Sequence, residues 1–182
     1  LGVDKREGRR KDRICRKGKA EAKRKERDIP RNSLQGFVIL QNGMKEEKVF
    51  IPSDDIQLEG LLSVQEASFF RGGVILCHPH PQYGGDMDHP VVTTAAEAAF
   101  QEGFSTLRFN FRGVGRSGGS YGEGVGERED VKAAANYLFS RMRDPRSPLI
   151  LLGYSFGAWA GFPVAIEDGR FAGMVAVAPP LG

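Results

Sequence analysis

The sequence predicts an α/β fold in which helices cover both faces of a mostly parallel sheet. From about residue 73 onward, short apolar segments alternate with segments of helical periodicity. Residues 74–77 and 149–152 are apolar without interruption, as a strand that is buried on both faces requires. Strands of this kind belong at the centre of a sheet, so we predict a layered domain with its sheet in the middle.

The predicted elements follow one another in a regular order. A hairpin comes first, with strands over residues 48–51 and 56–64 joined by a turn-forming segment at 52–55. The buried strands that follow are predicted over residues 73–78, 105–111, 149–154 and 173–178. The helices between them are predicted over residues 91–100, 131–142 and 158–166. We assign the apolar stripes of all these segments to core packing.

Charge is unevenly distributed along the 182 residues, whose formal net charge is +3. Residues 1–43 hold 14 lysines and arginines against 6 aspartates and glutamates, whereas residues 44–182 hold 12 against 17. A low-complexity charged segment cannot bury enough apolar surface to fold alone. We therefore predict a basic, disordered leader over residues 1–43, with Met44 as a candidate start, and one α/β domain over residues 44–182.

The composition argues against several function classes. The leader lacks the interleaved aromatic residues of a nucleic-acid-binding module, so no nucleic-acid partner is predicted. No apolar run reaches the roughly 18 residues of a membrane span, and no apolar signal-peptide core is present. Two cysteines do not predict a disulfide framework. We expect a cytoplasmic protein with no membrane partner.

The strongest motif is Gly153-Tyr154-Ser155-Phe156-Gly157, which matches the G-x-S-x-G pattern of a nucleophile elbow. It follows a predicted strand and precedes a predicted helix, so Ser155 would lie on the sharp turn between them. That turn strains the backbone, and a Cβ at Gly153 or Gly157 would collide with the neighbouring strand or helix. The N-terminus of the helix favours a developing negative charge on the serine oxygen. Ser155 is therefore the predicted catalytic nucleophile.

Two further motifs precede the elbow, CHPHPQYGG at residues 77–85 and NFRGVGRSG at residues 110–118. With these three motifs in this order, the sequence resembles the α/β-hydrolase superfamily, in particular its small dienelactone-hydrolase-like and serine-aminopeptidase-like bacterial members. The resemblance covers about residues 46–178. It implies an α/β-hydrolase fold and a serine hydrolase that binds the oxyanion with two backbone N–H groups.

The resemblance places the first oxyanion donor at the residue after the nucleophile, Phe156, and the second in the loop HPHP at residues 78–81. Proline has no N–H, so His80 is the first residue of this loop that can donate a backbone hydrogen bond. We predict the His80 N–H as the second donor, with Gln82 or Tyr83 as alternatives. Proline also stands where the family's His-Gly-x-Pro pattern has glycine.

A metal site is the competing interpretation of this region, because His78, His80, Asp86, Asp88 and His89 lie within twelve positions. Two histidines in His-x-His spacing on a strand point to one face, as zinc sites often require. Each histidine adjoins a proline, however, and the elbow explains the loop without a metal. We therefore predict neither a metal nor a cofactor. The resemblance implies asparagine at the position of His89, where this sequence departs from the family.

The glycine-rich segment GVGRSG at residues 113–118 has the form of a dinucleotide-binding fingerprint. In a dinucleotide-binding unit a helix opens directly from the glycines, whereas here four more glycines prolong the loop to about Glu127. We interpret the segment as a loop near the mouth of the active site and predict no nucleotide cofactor. Arg112 and Asp130 are predicted to form a structural ion pair there.

The leading functional hypothesis is hydrolysis of carboxylic esters, thioesters or small amides through an acyl-enzyme on Ser155, with a small-molecule ester or amide as the partner. Aminopeptidase or acyltransferase activity on the same fold, and a non-catalytic binding module, are the alternatives. In this fold the acid and the histidine of the triad follow the serine, and here no histidine follows Ser155. Glu167 and Asp168 lie at the far end of a predicted helix. We therefore expect that the last strands of the fold are missing and that these 182 residues alone do not turn over esters.

Overall fold

The computed structural model describes residues 37–39, 44–66 and 69–180, which form a seven-stranded sheet with helices on both faces. The strands are β1 (Phe37–Ile39), β2 (Lys45–Ser53), β3 (Ile56–Ser63), β4 (Gly72–Cys77), β5 (Phe104–Phe109), β6 (Leu149–Tyr154) and β7 (Phe171–Val177). The helices are α1 (Pro90–Gln101), α2 (Val125–Arg141) and α3 (Phe156–Glu167), and a 3-10 turn spans Pro81–Tyr83. Within these described residues, no helix has the length and apolar character that crossing a bilayer would take.

The strand order across the sheet is β1-β2-β3-β5-β4-β6-β7. β1, β2 and β3 form antiparallel ladders, and β3 also pairs antiparallel with β5. The strands β5, β4, β6 and β7 are parallel to one another. Parallel strands need crossover connections, which the three helices supply. The predicted layered fold, with a parallel sheet at its centre and helices on both faces, is therefore confirmed.

The central strand β4 shows why its sequence is apolar without interruption. All of its six residues are buried. Val74 and Leu76 pack on one face of the sheet with Val92 of α1, whereas Ile75 and Cys77 pack on the other face in the core built by α2 and α3. Successive side chains of a strand point to opposite faces, so a strand covered on both sides has no position for a polar residue.

The predicted hairpin is present as β2 and β3, with Ser53 opposite Ile56 at the turn. β1 pairs antiparallel with the first three residues of β2. The sheet therefore begins at Phe37, seven residues before the predicted domain start at Met44. A strand of three residues is too short to show a period-2 pattern, and the prediction of a disordered leader took in the apolar run at residues 37–40. Residues 1–36 and 40–43 of the predicted leader lie outside the described residues.

Two helices begin earlier than the sequence predicted. α2 begins at Val125, because the Glu127 carboxylate accepts the N–H groups of Gly122 and Gly124 at 2.8 and 2.7 Å and so caps the helix. α3 begins at Phe156, directly after the elbow serine. Glycine has a low helix propensity, so the glycines at both helix starts concealed these first turns from a propensity-based prediction.

Candidate active site

Ser155 lies on the turn between β6 and α3. Its backbone has φ 51° and ψ −116°, a conformation that residues with a side chain rarely adopt. The Ser155 N–H donates to the carbonyl oxygen of Val177 at the end of β7, at 2.8 Å. The neighbouring strand therefore holds the strained turn in place, and the serine lies at the carboxyl edge of the parallel strands, where α/β proteins bind their ligands.

Close contacts require glycine on both sides of the elbow. A Cβ at Gly153 would overlap the backbone of Ala158 in α3. A Cβ at Gly157 would overlap the carbonyl group of Cys77 at the end of β4. Backbone atoms on both sides cannot move away, so the first turn of α3 packs against the ends of β4 and β6 only because these two positions lack side chains.

The amides of Phe156 and His80 have no hydrogen-bond acceptor among the described residues. The alternative donors in the loop after β4 are engaged. The Gln82 N–H donates to the Nδ1 atom of His80 at 3.2 Å, and the Tyr83 N–H donates to the His80 carbonyl oxygen at 3.1 Å. Because the 3-10 turn uses these two amides internally, the geometry favours the His80 N–H over Gln82 and Tyr83 as the second oxyanion donor.

The predicted nucleophile and both predicted donors lie around one cleft. The centroids of the His80 and Phe156 rings are 4.7 Å apart, so the loop after β4 packs directly on the start of α3. A cleft of about 330 Å³ opens at this contact, and its lining residues are His80, Tyr121, Ser155, Phe156, Trp159 and Pro180. The structure thus brings His80, from the loop after β4, to the same cleft as the elbow residues Ser155 and Phe156.

Within the described residues, no histidine is hydrogen-bonded to Ser155. Of the three histidines in the sequence, His80 is the one that lines the cleft with Ser155 and could be considered as a substitute base; its Nε2 atom lies 3.3 Å from the hydroxyl oxygen of Tyr121. The acids that would have to orient it are engaged elsewhere: Asp86 accepts the N–H of Asp88 at 2.9 Å, and Asp88 forms an ion pair with an arginine of β5. His80 therefore lacks the orienting carboxylate that a catalytic base needs.

The carboxylates that follow the elbow lie at the other end of α3. Glu167 is the last residue of this helix, and the Asp168 carboxylate forms an ion pair with Arg170 at 2.5 Å. A helix of 12 residues is about 18 Å long, so both carboxylates are too far from Ser155 to orient a base beside it.

The residues considered for a metal site have other contacts, and within the described residues no group of three or more His, Cys, Asp or Glu side chains could hold a metal ion. His78 is buried, and its Nε2 accepts the N–H of Phe111 at 3.0 Å. Its Nδ1 lies 2.6 Å from the Pro79 carbonyl oxygen and donates to it. Burial lowers the pKa of His78 to about 4, so the ring is neutral at neutral pH.

His89 performs the capping function that an asparagine would have at the same position. Its Nδ1 atom accepts the N–H of Val91 at 3.2 Å, at the start of α1. Its ring packs on the Tyr154 ring with centroids 5.0 Å apart. An asparagine side chain could accept the same hydrogen bond, so histidine and asparagine are both compatible with this helix cap.

Carboxylates hold the glycine-rich loop that follows β5. The Oε2 atom of Glu59 accepts the side-chain amide of Asn110 at 3.1 Å and the N–H of Arg116 at 2.9 Å. The Glu127 carboxylate occupies the N-terminus of α2, the place where a helix would bind a nucleotide phosphate. A phosphate would be repelled there, so the loop is unsuited to a dinucleotide.

The predicted ion pair between Arg112 and Asp130 is present. The Arg112 guanidinium and the Asp130 carboxylate lie 2.8 Å apart, and the Arg112 N–H also donates to Asp130 at 2.9 Å. Asp130 is buried and accepts the hydroxyl of Ser53 at 3.1 Å. One carboxylate therefore joins the glycine-rich loop and α2 to the hairpin.

Two residues of the cleft, Tyr121 and Trp159, were not singled out in the sequence. Trp159 lies four residues after Ser155, so both share one face of a helix turn, and this spacing was an available signal. Tyr121 lies in the glycine-rich loop, and only the folding of that loop over the elbow brings it to the cleft.

Known proteins match much of this chain in sequence. The sequence profile of the family "Serine aminopeptidase, S33" matches residues 70–182. An uncharacterised protein of Rickettsia prowazekii is 39% identical over 107 residues, which make up 59% of this chain and 44% of that protein.

Solved structures match the fold. An α/β serine hydrolase homologue from Coxiella burnetii is 39% identical with a TM-score of 0.65, and the match covers 74% of this chain and 63% of that one. An α/β serine hydrolase without a lid from Xanthomonas campestris is 32% identical with a TM-score of 0.68, covering 75% of this chain and 62% of that one. The chain therefore spans less than two thirds of the length of these relatives.

Proposed function

The chain belongs to the serine aminopeptidase S33 family of α/β hydrolases, and on this basis we propose that it is a serine hydrolase with Ser155 as its nucleophile. The proposed substrates are carboxylic esters, thioesters or small amides, with small esters first. The α/β serine hydrolases among its structural relatives support the reaction class.

One observation carries this proposal: a serine on a strained strand-to-helix turn shares a cleft with two backbone amides that have no acceptor among the described residues. Ser155 has the positive φ of a nucleophile elbow. Phe156 and His80, the residues that carry these two amides, line the same cleft as Ser155. Amides held in place before the reaction can stabilise the charge that develops on a carbonyl oxygen during acyl transfer.

The proposed mechanism has two steps. A base removes the Ser155 proton, the serine oxygen attacks the substrate carbonyl carbon, and the Phe156 and His80 N–H groups bind the oxyanion. Collapse of the tetrahedral intermediate expels the alcohol and leaves an acyl-enzyme on Ser155. Water, activated by the same base, then attacks the acyl-enzyme and releases the acid.

The base and its orienting acid have to join Ser155 from outside the described residues. The 182-residue sequence contains three histidines, all of them before Ser155. His78 and His89 are engaged in backbone hydrogen bonds, and His80 has no acid beside it. We therefore propose that the 182 residues alone do not turn over esters.

Ester hydrolysis is preferred over aminopeptidase activity because of the lining of the cleft. An aminopeptidase binds the positively charged α-amino group of its substrate, which calls for an acidic side chain near the nucleophile. No carboxylate belongs to the described lining of this cleft, which is mostly aromatic. The described lining therefore offers no ion-pair partner for an α-amino group, whereas an uncharged ester needs none.

A fluorophosphonate probe tests the assignment of the nucleophile. In the full-length protein, the probe should label Ser155, and Ser155→Ala should abolish both labelling and the hydrolysis of small p-nitrophenyl esters. Mass spectrometry of the labelled peptide identifies the modified residue.

Ser140→Ala is the matched control, because Ser140 is an exposed serine on α2 whose hydroxyl donates only to a backbone carbonyl. This variant should keep full labelling. Labelling that persists in Ser155→Ala would contradict the nucleophile assignment, and a full-length protein that is never labelled would favour the non-catalytic binding module.

A further inference from the structure

Aromatic rings surround the space next to Ser155. We call the rings of Tyr121, Phe156 and Trp159, together with the imidazole of His80, the aromatic wall. The Phe156 centroid lies 5.5 Å from that of Trp159 and 6.0 Å from that of Tyr121, and the Tyr121 and His80 centroids are 5.2 Å apart. These are the separations of packed aromatic pairs, so the wall is one continuous surface.

Trp159 is held in place but keeps part of its ring exposed. A Cβ at Gly124 would overlap the six-membered ring of Trp159, so the indole lies directly on the backbone of the loop before α2. The Arg128 guanidinium also contacts the indole, at 5.5 Å from the centroid of the Trp159 ring. Trp159 nevertheless remains 45% exposed. An aromatic side chain that is fixed and only partly covered is suited to stack on a ligand.

Tyr121 adds a hydrogen-bond donor to the wall. Because the Nδ1 atom of His80 accepts the Gln82 N–H, the ring hydrogen lies on Nε2, which donates to the Tyr121 hydroxyl oxygen at 3.3 Å. The hydrogen of the Tyr121 hydroxyl is then left for another acceptor. Desolvation raises the pKa of Tyr121 above its ordinary value, and the nearby Glu127 carboxylate raises it to a smaller extent. The hydroxyl therefore keeps this hydrogen at neutral pH.

We propose that the aromatic wall is a substrate-binding site that selects esters with a compact aryl group, which stacks on Trp159 while an oxygen of the substrate accepts the Tyr121 hydroxyl. The proposal rests on the proposed function of Ser155 and specifies its substrate class. A cleft of about 330 Å³ is at the small end of ligand sites, which suits one ring better than a long acyl chain.

Binding can be measured separately from catalysis with the Ser155→Ala form of the full-length protein. The probes are phenylacetamide and cyclohexylacetamide, which have the same carbon skeleton and differ in the aromaticity of the ring. Trp159 is the single tryptophan of the 182-residue sequence, and subtracting the signal of a Trp159→Phe protein assigns the fluorescence change to it. Phenylacetamide should quench this signal saturably and bind about three- to tenfold more tightly than cyclohexylacetamide.

Two substitutions separate the ring of Tyr121 from its hydroxyl. Tyr121→Phe should weaken phenylacetamide binding about fivefold, because it removes one hydrogen bond. Tyr121→Leu should weaken it further, because the wall then loses the aromatic ring that packs on Phe156 and His80 as well. Tyr137→Leu, on α2 and outside the cleft, is the matched control and should leave binding unchanged.

Turnover of methyl phenylacetate and methyl cyclohexylacetate, followed by acid release, gives the second measurement. The full-length protein should have the higher kcat/KM for the aryl ester, and Trp159→Leu should remove this preference. Equal binding of the two amides, or binding that Tyr121→Leu leaves intact, would overturn the aryl-site proposal.

The two proposals fail in different ways. A protein whose Ser155 reacts with fluorophosphonate but which binds both amides equally is a serine hydrolase without an aryl site. A protein that binds phenylacetamide selectively but is never labelled has the site without the catalytic function.

Discussion

At the scale of single residues, His78 is a histidine that the fold keeps neutral. Its two ring nitrogens are both occupied, with Nε2 accepting the Phe111 N–H and Nδ1 donating to the Pro79 carbonyl. Protonating Nε2 would break its hydrogen bond with the Phe111 N–H. Phe111 lies just before the glycine-rich loop. The histidine therefore connects the end of β4 to the end of β5 beside the candidate active site.

The free energy of unfolding should fall as the pH is lowered through the titration range of His78. The folded-state pKa is about 4 and the ordinary value is 6.5, so between these values the unfolded chain takes up a proton that the folded chain does not. His78 leaves the free energy of unfolding unchanged above pH 6.5. Between pH 6.5 and pH 4 its protonation in the unfolded chain lowers the free energy of unfolding by a total of about 3 kcal/mol. Urea unfolding at a series of pH values measures this.

His78→Asn should flatten that pH dependence, although it lowers stability at pH 7 because packing is lost. His89→Asn is the matched control, because asparagine keeps the helix cap and His78 is still present. A pH dependence that is as steep in His78→Asn as in the unsubstituted chain would show that other groups cause it.

At the scale of elements, the loop between β5 and α2 is ordered by buried carboxylates rather than by regular structure. The Asp130 carboxylate, on α2, binds the Arg112 side chain and the Ser53 hydroxyl. Glu127 caps the same helix through the N–H groups of Gly122 and Gly124. These bonds fix the loop that carries Tyr121 to the cleft, so the position of one cleft residue depends on two carboxylates outside it.

Asp130→Ala should lower the free energy of unfolding by about 3–5 kcal/mol. The Asp130 side chain is fully buried, so its removal leaves a partly buried arginine and a buried hydroxyl without their partner. Glu129→Ala is the matched control on the same helix, because the ion pair between Glu129 and Lys132 is exposed and its loss should change the free energy of unfolding little. Chemical denaturation of both variants tests this, and a loss below about 1 kcal/mol for Asp130→Ala would contradict it.

At the scale of the whole molecule, the two edges of the described sheet differ in character. On one side, β1 is a strand of three residues. On the other side, β7 has seven residues and pairs with β6 alone among the described strands. Met174 and Val175 on this strand are 43% and 45% exposed. A long apolar edge strand offers unpaired backbone groups to another chain, so β7 is the expected site of self-association.

The 182-residue chain should therefore associate increasingly as its concentration is raised, and Val175→Lys should reduce this. A charged side chain on an edge strand opposes edge-to-edge pairing. Ile166→Lys is the matched control: Ile166 is 72% exposed, but it lies on α3 and offers no strand edge. Light scattering over a concentration series distinguishes them, and equal effects of the two lysines would show that general solubility rather than the edge is responsible.

The sequence by itself determined the features that depend on neighbouring residues. Continuous apolar runs predicted the central strands, and the elbow could be located because a strand, a G-x-S-x-G turn and a helix are consecutive in the chain. The steric need for glycine at positions 153 and 157 follows from the same local turn. The ion pair of Arg112 with Asp130 was also predictable, since the two residues flank one loop.

Tertiary structure decided what depends on residues that are far apart in sequence. Which amides of the loop after β4 are already engaged depends on how this loop folds on itself, and this favours His80 over Gln82 and Tyr83 as the proposed second donor. The meeting of Tyr121 with Trp159 depends on a loop and a helix from different parts of the chain. Hydrophobic periodicity reports which residues are buried but not which of them meet, because strand order and loop closure are set by packing across the whole sheet.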